Sequence, residues 1–386
     1  MSIRNPLEPW FSATAVHRAA DSFSTGAAVI ETAITIQQIA APTFAEYQRG
    51  AWVEAHMRRI GLADVASDAI GNVYGRVPGR IAGSALLVAA HLDTVFPAST
   101  NLAIRREGQR IYGPGLGDNS LGVAGLLHLG QALREQHITP EHDIWLVANV
   151  GEEGLGDLRG MRAAVERLRG QISTAIALEG TGHDRIVHEA IGVRRYQITA
   201  TAAGGHSWQN FGAPSAIHTL VRLAARFTEL VLPQPRSSFN IGIIEGGTSI
   251  NTIAEHASLL LDLRSVETDG LADLIRQVEQ HVAATRAAQP EVAIEMVTVG
   301  DRPPGRIPRD HPLVKMATAA YQAAGTSVSY GIGSTDANVP LSMGIPAVCV
   351  GVGDGANAHR LDEYIETQRI AAGMRALLWL ALNAAA

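Results

Sequence analysis

The fold is decided by the stretch Ser84-Ala85-Leu86-Leu87-Val88-Ala89-Ala90-His91-Leu92-Asp93. Its apolar run is typical of a short β-strand that is buried on both faces. The run breaks into polar residues at His91 and Asp93, so their side chains lie at the carboxyl end of the predicted strand. Open α/β sheets bind their ligands at that edge. We therefore expect an α/β domain whose functional site lies where this strand ends.

Acidic and histidine residues follow other apolar runs in the same way. The run from Asp143 to Val150 stops at the pair Glu152-Glu153, and the run from Ala175 to Leu178 stops at Glu179. A later apolar run leads through a glycine-rich loop to His359. An acidic pair in a turn is by itself usually a solvated surface feature, and a loop histidine is a weak signal. Their recurrence after buried strands favours one shared site at the sheet edge.

A second predicted strand precedes the one that carries His91. Residues Asn72 to Val77 are typical of a strand, and Pro78-Gly79 is typical of a turn. This order predicts a hairpin in which the two strands are neighbours. Apolar residues at helical spacing between Ala27 and Gly61 predict two amphipathic helices that cover the sheet, the second ending at a glycine C-cap.

A glycine-rich segment, Gly113 to Ser120, precedes the helix predicted over Leu121 to Gln136. Such a turn can cradle a phosphate with its amide groups, which would suit a nucleotide-binding oxidoreductase. However, no lysine follows the last glycine as in a P-loop, and no acidic residue is placed as in a dinucleotide-binding fingerprint. We therefore favour a tight turn that delivers Asp118 to the strand ends, with Ser120 or Asn119 capping the helix.

The pattern of the sequence changes at Val193. Alternating polar and apolar residues from Arg194 to Ala200 begin a series of predicted elements in the ferredoxin-like order β-α-β-β-α-β. Asp301 to Gly305 is typical of a linker back to the first domain. The sequence thus predicts an α/β catalytic domain of residues 1–191 and 302–386, with a mixed central sheet flanked by helices. An inserted ferredoxin-like α+β domain would comprise residues 192–301.

Composition bounds the class of protein. The chain of 386 residues is 46% hydrophobic, has a net charge of −6 and scatters its lysines and arginines. It therefore lacks the basic stripe that nucleic-acid binding requires. No run approaches the roughly 20 apolar residues of a membrane span, and no signal-peptide run occurs before Ser24, so we expect a cytoplasmic protein without a membrane partner. The single cysteine, Cys349, lies in an apolar run, which favours a buried structural residue over a catalytic thiol.

Taken together, these residues suit a site for two divalent metal ions. Imidazoles and carboxylates form a nitrogen and oxygen ligand set that fits zinc, manganese or cobalt, and two dications offset the mutual repulsion of clustered carboxylates. A carboxylate shared by two metals holds them about 3.5–4 Å apart around an activated water. One carboxylate must stay unligated as the general base, so Glu152 and Glu153 can divide these roles. Asp93 is placed to fix the tautomer of the His91 imidazole.

Six motifs resemble those of the dinuclear zinc exopeptidases and deacylases, a family that includes carboxypeptidase G, succinyl-diaminopimelate desuccinylase, acetylornithine deacetylase and aminoacylase. They occur in the family's order between about Asn72 and the last helix: His91-Leu92-Asp93-Thr94-Val95, Gly117-Asp118-Asn119-Ser120-Leu121-Gly122, Gly151-Glu152-Glu153-Gly154, Glu179-Gly180, Gly204-Gly205-His206-Ser207 and Ala358-His359. The resemblance implies a ligand set bridged by Asp118, with His91 and Glu179 on one metal ion and Glu153 and His359 on the other. Glu152 would then be the general base, and zinc is favoured over manganese and cobalt.

The resemblance also implies residues beyond the metal ligands. The inserted domain is similar to the family's dimerisation domain, which implies a homodimer formed through residues 192–301. His206 would then reach the partner's active site and stabilise the tetrahedral oxyanion, although a plain turn histidine is the alternative. Asn251, Arg264 and the pair Thr335-Asp336 resemble positions that contact the substrate, the pair at its carboxylate end. The alternative for these four is that they are ordinary loop and strand residues.

Two features set this chain apart from some relatives. Asn119 follows the bridging aspartate, where many relatives have another aspartate or a methionine, but the bridging carboxylate itself is retained. Glu179 resembles the glutamate of the family's carboxypeptidases and deacylases rather than the aspartate of its aminopeptidases. The resemblance therefore favours cleavage next to a free carboxylate or of an N-acyl group.

We therefore predict a two-metal hydrolase of an amide bond in a small molecule or peptide, carboxypeptidase-like or active on N-acyl amino acids. The alternatives are hydrolysis of another C–N bond, such as that of an aromatic amine, an aminopeptidase, and a catalytically silent relative that only binds metal or ligand. The presence of Glu152 together with every candidate metal ligand argues against the silent relative.

Overall fold

The computed structural model describes residues 13–232 and 236–386. It divides into two compact units, the first formed by the chain up to Ala190 and by Arg306–Ala386, the second by Ile191–Gly305. The first twelve residues, part of the segment in which the sequence predicts no signal peptide, lie outside the described residues.

The helices in the described ranges are α1 (Thr14–Ser22), α2 (Ala27–Gln37), α3 (Tyr47–Arg59), α4 (Leu121–Glu135), α5 (Arg159–Arg167), α6 (Ala216–Phe227), α7 (Thr268–Ala288), α8 (Pro312–Ala323), α9 (Asn338–Ser342) and α10 (Ile370–Ala384). The strands are β1 (Ala63–Ser67), β2 (Val73–Val77), β3 (Ile81–His91), β4 (Arg105–Glu107), β5 (Arg110–Tyr112), β6 (His142–Asn149), β7 (Ile172–Glu179), β8 (Arg185–Ala190), β9 (Gly192–Thr201), β10 (Gly205–His206), β11 (Ser237–Gly246), β12 (Thr252–Ile253), β13 (His256–Ser265), β14 (Ala293–Arg302), β15 (Gly305–Arg306), β16 (Ser329–Gly333), β17 (Ala347–Gly351), β18 (Asp354–Ala356) and β19 (Tyr364–Glu366). Among the described residues, none of the helices combines the length and the apolar character needed to cross a bilayer.

The main sheet of the first unit is mixed, as the sequence predicts. Its strand order is β1-β2-β6-β3-β7-β17-β8, and β16 also pairs with β8. β3 runs parallel to β6 and β7, and β17 runs parallel to β7. His91 pairs with Asn149, and Gly351 pairs with Glu179. Because parallel neighbours end at the same edge, the residues that follow these four strands are collected there.

The predicted hairpin between β2 and β3 is wrong. β6 lies between them, antiparallel to β2 and parallel to β3. The turn at Pro78-Gly79 carries the chain past the start of β6, where the Gly79 amide donates to Asp143 Oδ1 at 2.7 Å. β6 is buried from Ile144 onwards, and a buried strand needs hydrogen-bonding neighbours on both edges. Turn residues indicate only that the chain turns. They do not indicate that a later strand will lie between the two strands that the turn connects.

Helices cover this sheet, as the alternation of predicted strands and helices indicates. α4 packs against β3, β6 and β7, and its residues from Leu121 to Leu133 are almost all buried. A helix that is enclosed on all sides is apolar all round, and each leucine it buries stabilises the fold by about 1.5–3 kcal/mol. Gly122 allows the helix to begin close to the sheet, because a Cβ there would lie only 2.9 Å from the Leu178 carbonyl oxygen.

A small second sheet in the first unit has the strand order β18-β19-β5-β4. β18 and β19 form a hairpin, and its connecting loop contains His359. The rings of Tyr112 on β5 and Tyr364 on β19 pack with their centroids 5.3 Å apart. This sheet therefore ties the His359 loop to the segment that leads to Asp118.

The second unit has the predicted ferredoxin-like fold. Its main elements follow in the order β9-α6-β11-β13-α7-β14, and the antiparallel sheet has the order β11-β13-β9-β14. Buried and less buried residues alternate along β9 and β13, so one face of the sheet lies against α6 and α7. The core between them includes Leu223, Phe227, Leu261, Leu274 and Val278.

Candidate metal centre

The strand ends of the first unit bring histidine and carboxylate side chains together. His91 Nε2 lies 3.2 Å from Asp118 Oδ1 and 3.6 Å from Glu179 Oε2. His359 Nε2 lies 3.1 Å from Asp118 Oδ2 and 2.9 Å from Glu153 Oε1. The two oxygens of the Asp118 carboxylate therefore face two different imidazoles. The five side chains that the motif resemblance implies as metal ligands form one continuous cluster.

The spacing of these donor atoms fits a divalent metal site. Ligand atoms bound to a tetrahedral zinc ion at about 2.0–2.1 Å are about 3.3 Å from one another. The separations in the cluster range from 2.9 to 3.6 Å. One ligand atom each from His91, Asp118 and Glu153 lies within 4.8 Å of the others. Imidazole nitrogen and carboxylate oxygen suit several divalent metals, so the donor set supports a metal site without selecting the metal.

Charge interactions within the cluster are strong. Burial opposes a charge on the His91 imidazole, but hydrogen bonds with Asp118 and Asp93 outweigh it and raise the pKa of His91 well above its usual value. Hydrogen bonds with Asp118 and Glu153 raise the pKa of His359 to about 10. Burial raises the pKa of Glu179 to about 7, and the negative charge of Asp118 adds to this effect. The cluster thus contains carboxylates that only nearby positive charge can keep ionised together.

Asp93 orients both His91 and the loop that carries the glutamate pair. Its Oδ1 accepts a hydrogen bond from the Glu152 amide at 2.9 Å, and its Oδ2 accepts from the Glu153 amide at 3.0 Å and from Thr43 Oγ1 at 2.8 Å. His91 Nδ1 lies 3.1 Å from the Asp93 carbonyl oxygen. A carbonyl can only accept, so the ring proton lies on Nδ1 in the neutral tautomer and Nε2 presents its lone pair to the cluster.

Glu152 and Glu153 are both buried, each 6% exposed. Glu153 contacts His359, and the negative charge of Glu152 acts on the thiol of Cys349 on β17. Burial and the charge of Glu179 raise the pKa of the Cys349 thiol well above its usual value, and Glu152 adds to the effect. Cys349 is therefore a buried, protonated thiol, which is the structural role that its apolar surroundings predict.

Thr335 and Asp336 lie at the β6 end of the cluster. Asp336 is 2% exposed, and its Oδ2 accepts a hydrogen bond from Asn149 Nδ2 at 2.7 Å. Asn149 is the last residue of β6 and pairs with His91, the last residue of β3. The Thr335 amide donates to Asn338 Oδ1 at 2.9 Å. These contacts support the strand ends, and contact of Thr335 and Asp336 with a substrate stays a prediction.

Glu363 is a residue that the sequence analysis missed. It is 1% exposed, and its carboxylate accepts hydrogen bonds from the amides of Gly115, Gly117 and Asp118 at 2.8, 2.6 and 2.8 Å. The glycine-rich turn therefore does bind an anion with its amides, but the anion is a carboxylate of the same chain. Burial raises the pKa of Glu363 to about 7, and the amides act in the opposite direction. The available signal in the sequence was an acidic residue four positions after His359.

The predicted cap of α4 is wrong. Ser120 Oγ donates to the Gly115 carbonyl at 2.6 Å, and Asn119 Nδ2 donates to the Leu178 carbonyl at 2.9 Å. Both side chains therefore close the turn or anchor it to β7 instead of accepting from the first amides of the helix. The peptide bond between Asp118 and Asn119 is cis.

Arg49 on α3 is a second residue that the sequence analysis missed. It is fully buried, and it donates hydrogen bonds to the carbonyl oxygens of Leu92 and Ile39, each at 2.7 Å. Burial lowers its pKa to about 10 against the opposing effect of Asp93, so the guanidinium is charged at neutral pH. Arg49 thus holds the backbone between His91 and Asp93 through the Leu92 carbonyl.

His206 and Asn251 are neighbours in the second unit. β10 pairs with β12, and the Ser207 amide donates to the Asn251 carbonyl at 3.0 Å. His206 is exposed, and its Nδ1 accepts from the amides of Trp208 and Gln209 at 3.2 and 3.4 Å. Because Nδ1 accepts, the proton of the neutral ring lies on Nε2. His206 thus presents a hydrogen-bond donor.

Arg264 lies at the other end of the second unit's sheet. It pairs with Val193, close to the point where the chain enters the unit, whereas His256 begins β13 near the β10–β12 pair. Arg264 lies eight positions after His256 on β13, which corresponds to roughly 25 Å at about 3.3 Å per residue. Within one copy of this unit, the structure therefore does not bring Arg264 together with His206 and Asn251.

Comparison with known proteins places the chain in a family. Residues 87–383 match peptidase family M20/M25/M40. A Mycobacterium tuberculosis protein, provisionally named as the succinyl-diaminopimelate desuccinylase DapE, is 30% identical over 300 residues that cover 75% of this chain and 80% of the relative. Carboxypeptidase G2 of Pseudomonas sp. strain RS-16 is 25% identical over 316 residues that cover 78% of this chain and 74% of the relative.

The fold is also shared with solved structures. The crystal structure of a Staphylococcus aureus tripeptidase superimposes with a TM-score of 0.78 over 93% of this chain and 98% of that chain, at 21% sequence identity. These sequence relatives carry the names of a desuccinylase, given provisionally, and of a carboxypeptidase, and both names occur in the family that the motifs resemble. The chain belongs to peptidase family M20/M25/M40.

Proposed function

We propose that this chain is a two-metal hydrolase that cleaves an amide bond next to a free carboxylate or removes an N-acyl group from an amino acid. Membership of peptidase family M20/M25/M40 makes it an amide-bond hydrolase. Beyond that class, we propose the number and kind of metal ions, the roles of the side chains and the substrate class. The observation that carries it is the Asp118 carboxylate, whose two oxygens face the imidazoles of His91 and His359.

Asp118 would bridge two metal ions in this proposal. His91 and Glu179 would complete one site, and Glu153 and His359 the other, with zinc favoured over manganese and cobalt. Bound metal ions of this kind polarise the scissile carbonyl and lower the pKa of a water molecule. The lone pair on His91 Nε2 supports this assignment, because the Asp93 carbonyl holds the ring proton on the opposite nitrogen.

Glu152 would be the general base. It is buried beside the cluster, and its amide is held by the same Asp93 that orients His91. A carboxylate oxygen of Glu152 would accept a proton from the attacking water and return it to the nitrogen of the leaving amine. The contact between Glu153 and His359 supports this division, because it places Glu153 among the proposed ligands and Glu152 would then serve in proton transfer.

We further propose that the chain forms a homodimer through residues 192–301 and that His206 serves the partner's active site. The separation of roughly 25 Å along β13 supports this, since one small substrate cannot touch Arg264 and His206 of the same copy. Two copies could supply these groups to one site. His206 would donate its Nε2 proton to the developing oxyanion, and Asn251 would accompany it.

Combining two inactive variants tests whether His206 crosses between subunits. Homodimers of His206→Ala and of Glu152→Gln are each expected to be inactive. The purified heterodimer, obtained by co-expression with two different tags, should regain one working active site of its two. A heterodimer as inactive as both parents would show that His206 acts in its own chain, and a monomer in light scattering would refute the dimer.

The substrate class and the metal requirement are tested together. After chelation and dialysis, hydrolysis of N-succinyl and N-acetyl amino acids and of dipeptides should fall to background, and it should return with zinc, manganese or cobalt. The matched control is the same set of substrates with an amidated carboxyl group, which we expect to be cleaved roughly tenfold more slowly or worse. Equal rates for both sets would refute recognition of a free carboxylate. Full activity of the metal-free protein would refute the metal mechanism.

A further inference from the structure

We propose that Glu363 is a positioning residue that locks the turn carrying Asp118 to the loop carrying His359. The inference rests on the proposed function, because Asp118 and His359 are proposed there as metal ligands. Glu363 touches neither a metal ion nor a substrate in this proposal. It acts by fixing the backbone from which two ligand side chains project.

Three backbone amides of the glycine-rich turn surround the Glu363 carboxylate, and we call this arrangement the cradle. Glu363 Oε1 accepts from the amides of Gly117 and Asp118, and Glu363 Oε2 accepts from the amide of Gly115. The Gly113 amide donates to the Glu363 carbonyl oxygen at 2.9 Å, so the main chain of the residue holds the same turn. Successive backbone amides that converge in this way form a nest for an anion, and hydrogen bonds to an ionised acceptor are roughly twice as strong as neutral ones.

The cradle fits a carboxylate closely. A Cβ placed on Gly117 would lie 3.1 Å from Glu363 Oε1 and 2.8 Å from the side chain of Thr181, so the turn has no spare room at this point. One of the three donors is the amide of Asp118 itself. The Glu363 carboxylate therefore directly sets the backbone position of the residue proposed to bridge the metal ions.

The His359 loop contains two non-glycine residues with positive φ angles. His359 has a positive φ angle of 66°, which is uncommon for a non-glycine residue, and Asn357, a residue type that tolerates this region, has a φ angle of 64°. The His359 side chain is half exposed, so few packing contacts hold it. Glu363 lies four residues after His359, and its buried carboxylate binds the amides of the turn that carries Asp118. Two ligand loops far apart in the sequence are thereby fixed to each other.

The test compares three variants by their metal affinity. Glu363→Gln keeps the size of the side chain, but its amide nitrogen would face the Gly115 amide, donor against donor. Glu363→Asp keeps the charge and shortens the reach. The matched control is Glu366→Gln, three residues further on, because Glu366 is partly exposed and accepts from Arg110. Zinc affinity is measured by competition with a chromophoric chelator, cobalt absorption reports the ligand geometry, and circular dichroism in urea reports folding.

We expect Glu363→Gln to bind zinc about 10–100-fold more weakly than the wild type, with a changed cobalt spectrum. Glu363→Asp should lie between them, and Glu366→Gln should match the wild type. If Glu363→Gln does not fold, the aspartate variant decides by the same titration. Folded variants with wild-type zinc affinity and spectrum, even if less stable in urea, would overturn the inference. A wild-type chain that binds no zinc, manganese or cobalt would overturn the proposed function itself.

Discussion

Replacing Glu152 with glutamine is expected to lower kcat by about 10²–10⁴-fold and to leave the metal content of the chain unchanged. Glutamine has nearly the same shape but cannot accept a proton at neutral pH. Asp93 holds the Glu152 amide through the backbone, so the substitution should not disturb the loop or the neighbouring Glu153. Steady-state kinetics on the best amide substrate, together with metal analysis by atomic emission, measure both quantities on the same preparation.

The control for this variant is Glu166→Gln on α5. Glu166 is exposed and pairs with Arg169, so its charge is lost without any effect on the cluster. The control should retain wild-type kcat and metal content. Near-wild-type turnover of Glu152→Gln would remove Glu152 as the base. A loss of metal together with activity would instead indicate that Glu152 is a metal ligand and that Glu153 is the base.

Replacing Asp118 with asparagine is expected to abolish measurable hydrolysis and to weaken metal binding by more than about 100-fold, beyond the effect of removing a supporting residue. The carboxylate offers one oxygen towards His91 and the other towards His359. An asparagine keeps one oxygen and turns hydrogen-bond donors towards the second site, so it cannot serve two cations. Isothermal titration calorimetry with zinc measures the loss of metal affinity. Activity measurements at saturating metal then measure the loss of turnover separately.

Asp21→Asn is the matched control for this substitution. Asp21 is an exposed residue of α1, so the same chemical change is made away from the strand ends. Its metal stoichiometry and activity should equal those of the wild type. Two metal ions bound by Asp118→Asn with wild-type affinity would contradict a bridging role for Asp118.

Much of the candidate site could be foreseen because its residues follow buried strands. An apolar run that ends in a polar residue is a local feature of the sequence, and parallel neighbours bring such ends to one edge. His91 and Glu179 are the last residues of β3 and β7, and Glu153 follows β6 by a short turn. The order of motifs then indicated the family, and the family match confirms that resemblance.

Other features depend on contacts that leave no local mark. The hairpin predicted from Pro78-Gly79 failed because β6, about 65 residues later, occupies the place beside β2. The capping role predicted for Ser120 failed because its hydroxyl finds a nearer carbonyl in its own turn. The anion for the glycine-rich turn, Glu363, comes from a loop almost 250 positions away. Each of these contacts forms only in the folded chain, and the spacing of residues in the sequence does not indicate it.

The sequence by itself determined the classes of structure and chemistry: an α/β domain, a ferredoxin-like insertion, and nitrogen and oxygen donors placed after strands. These follow from periodicities of two and 3.6 residues and from the residue types at strand ends, which are properties of short segments. Only the tertiary structure decided that His91 Nε2 and His359 Nε2 face opposite oxygens of Asp118, and that Glu363 holds the turn between them. Such distances depend on how residues hundreds of positions apart pack, because side-chain geometry is set by burial and hydrogen-bond satisfaction across the whole core.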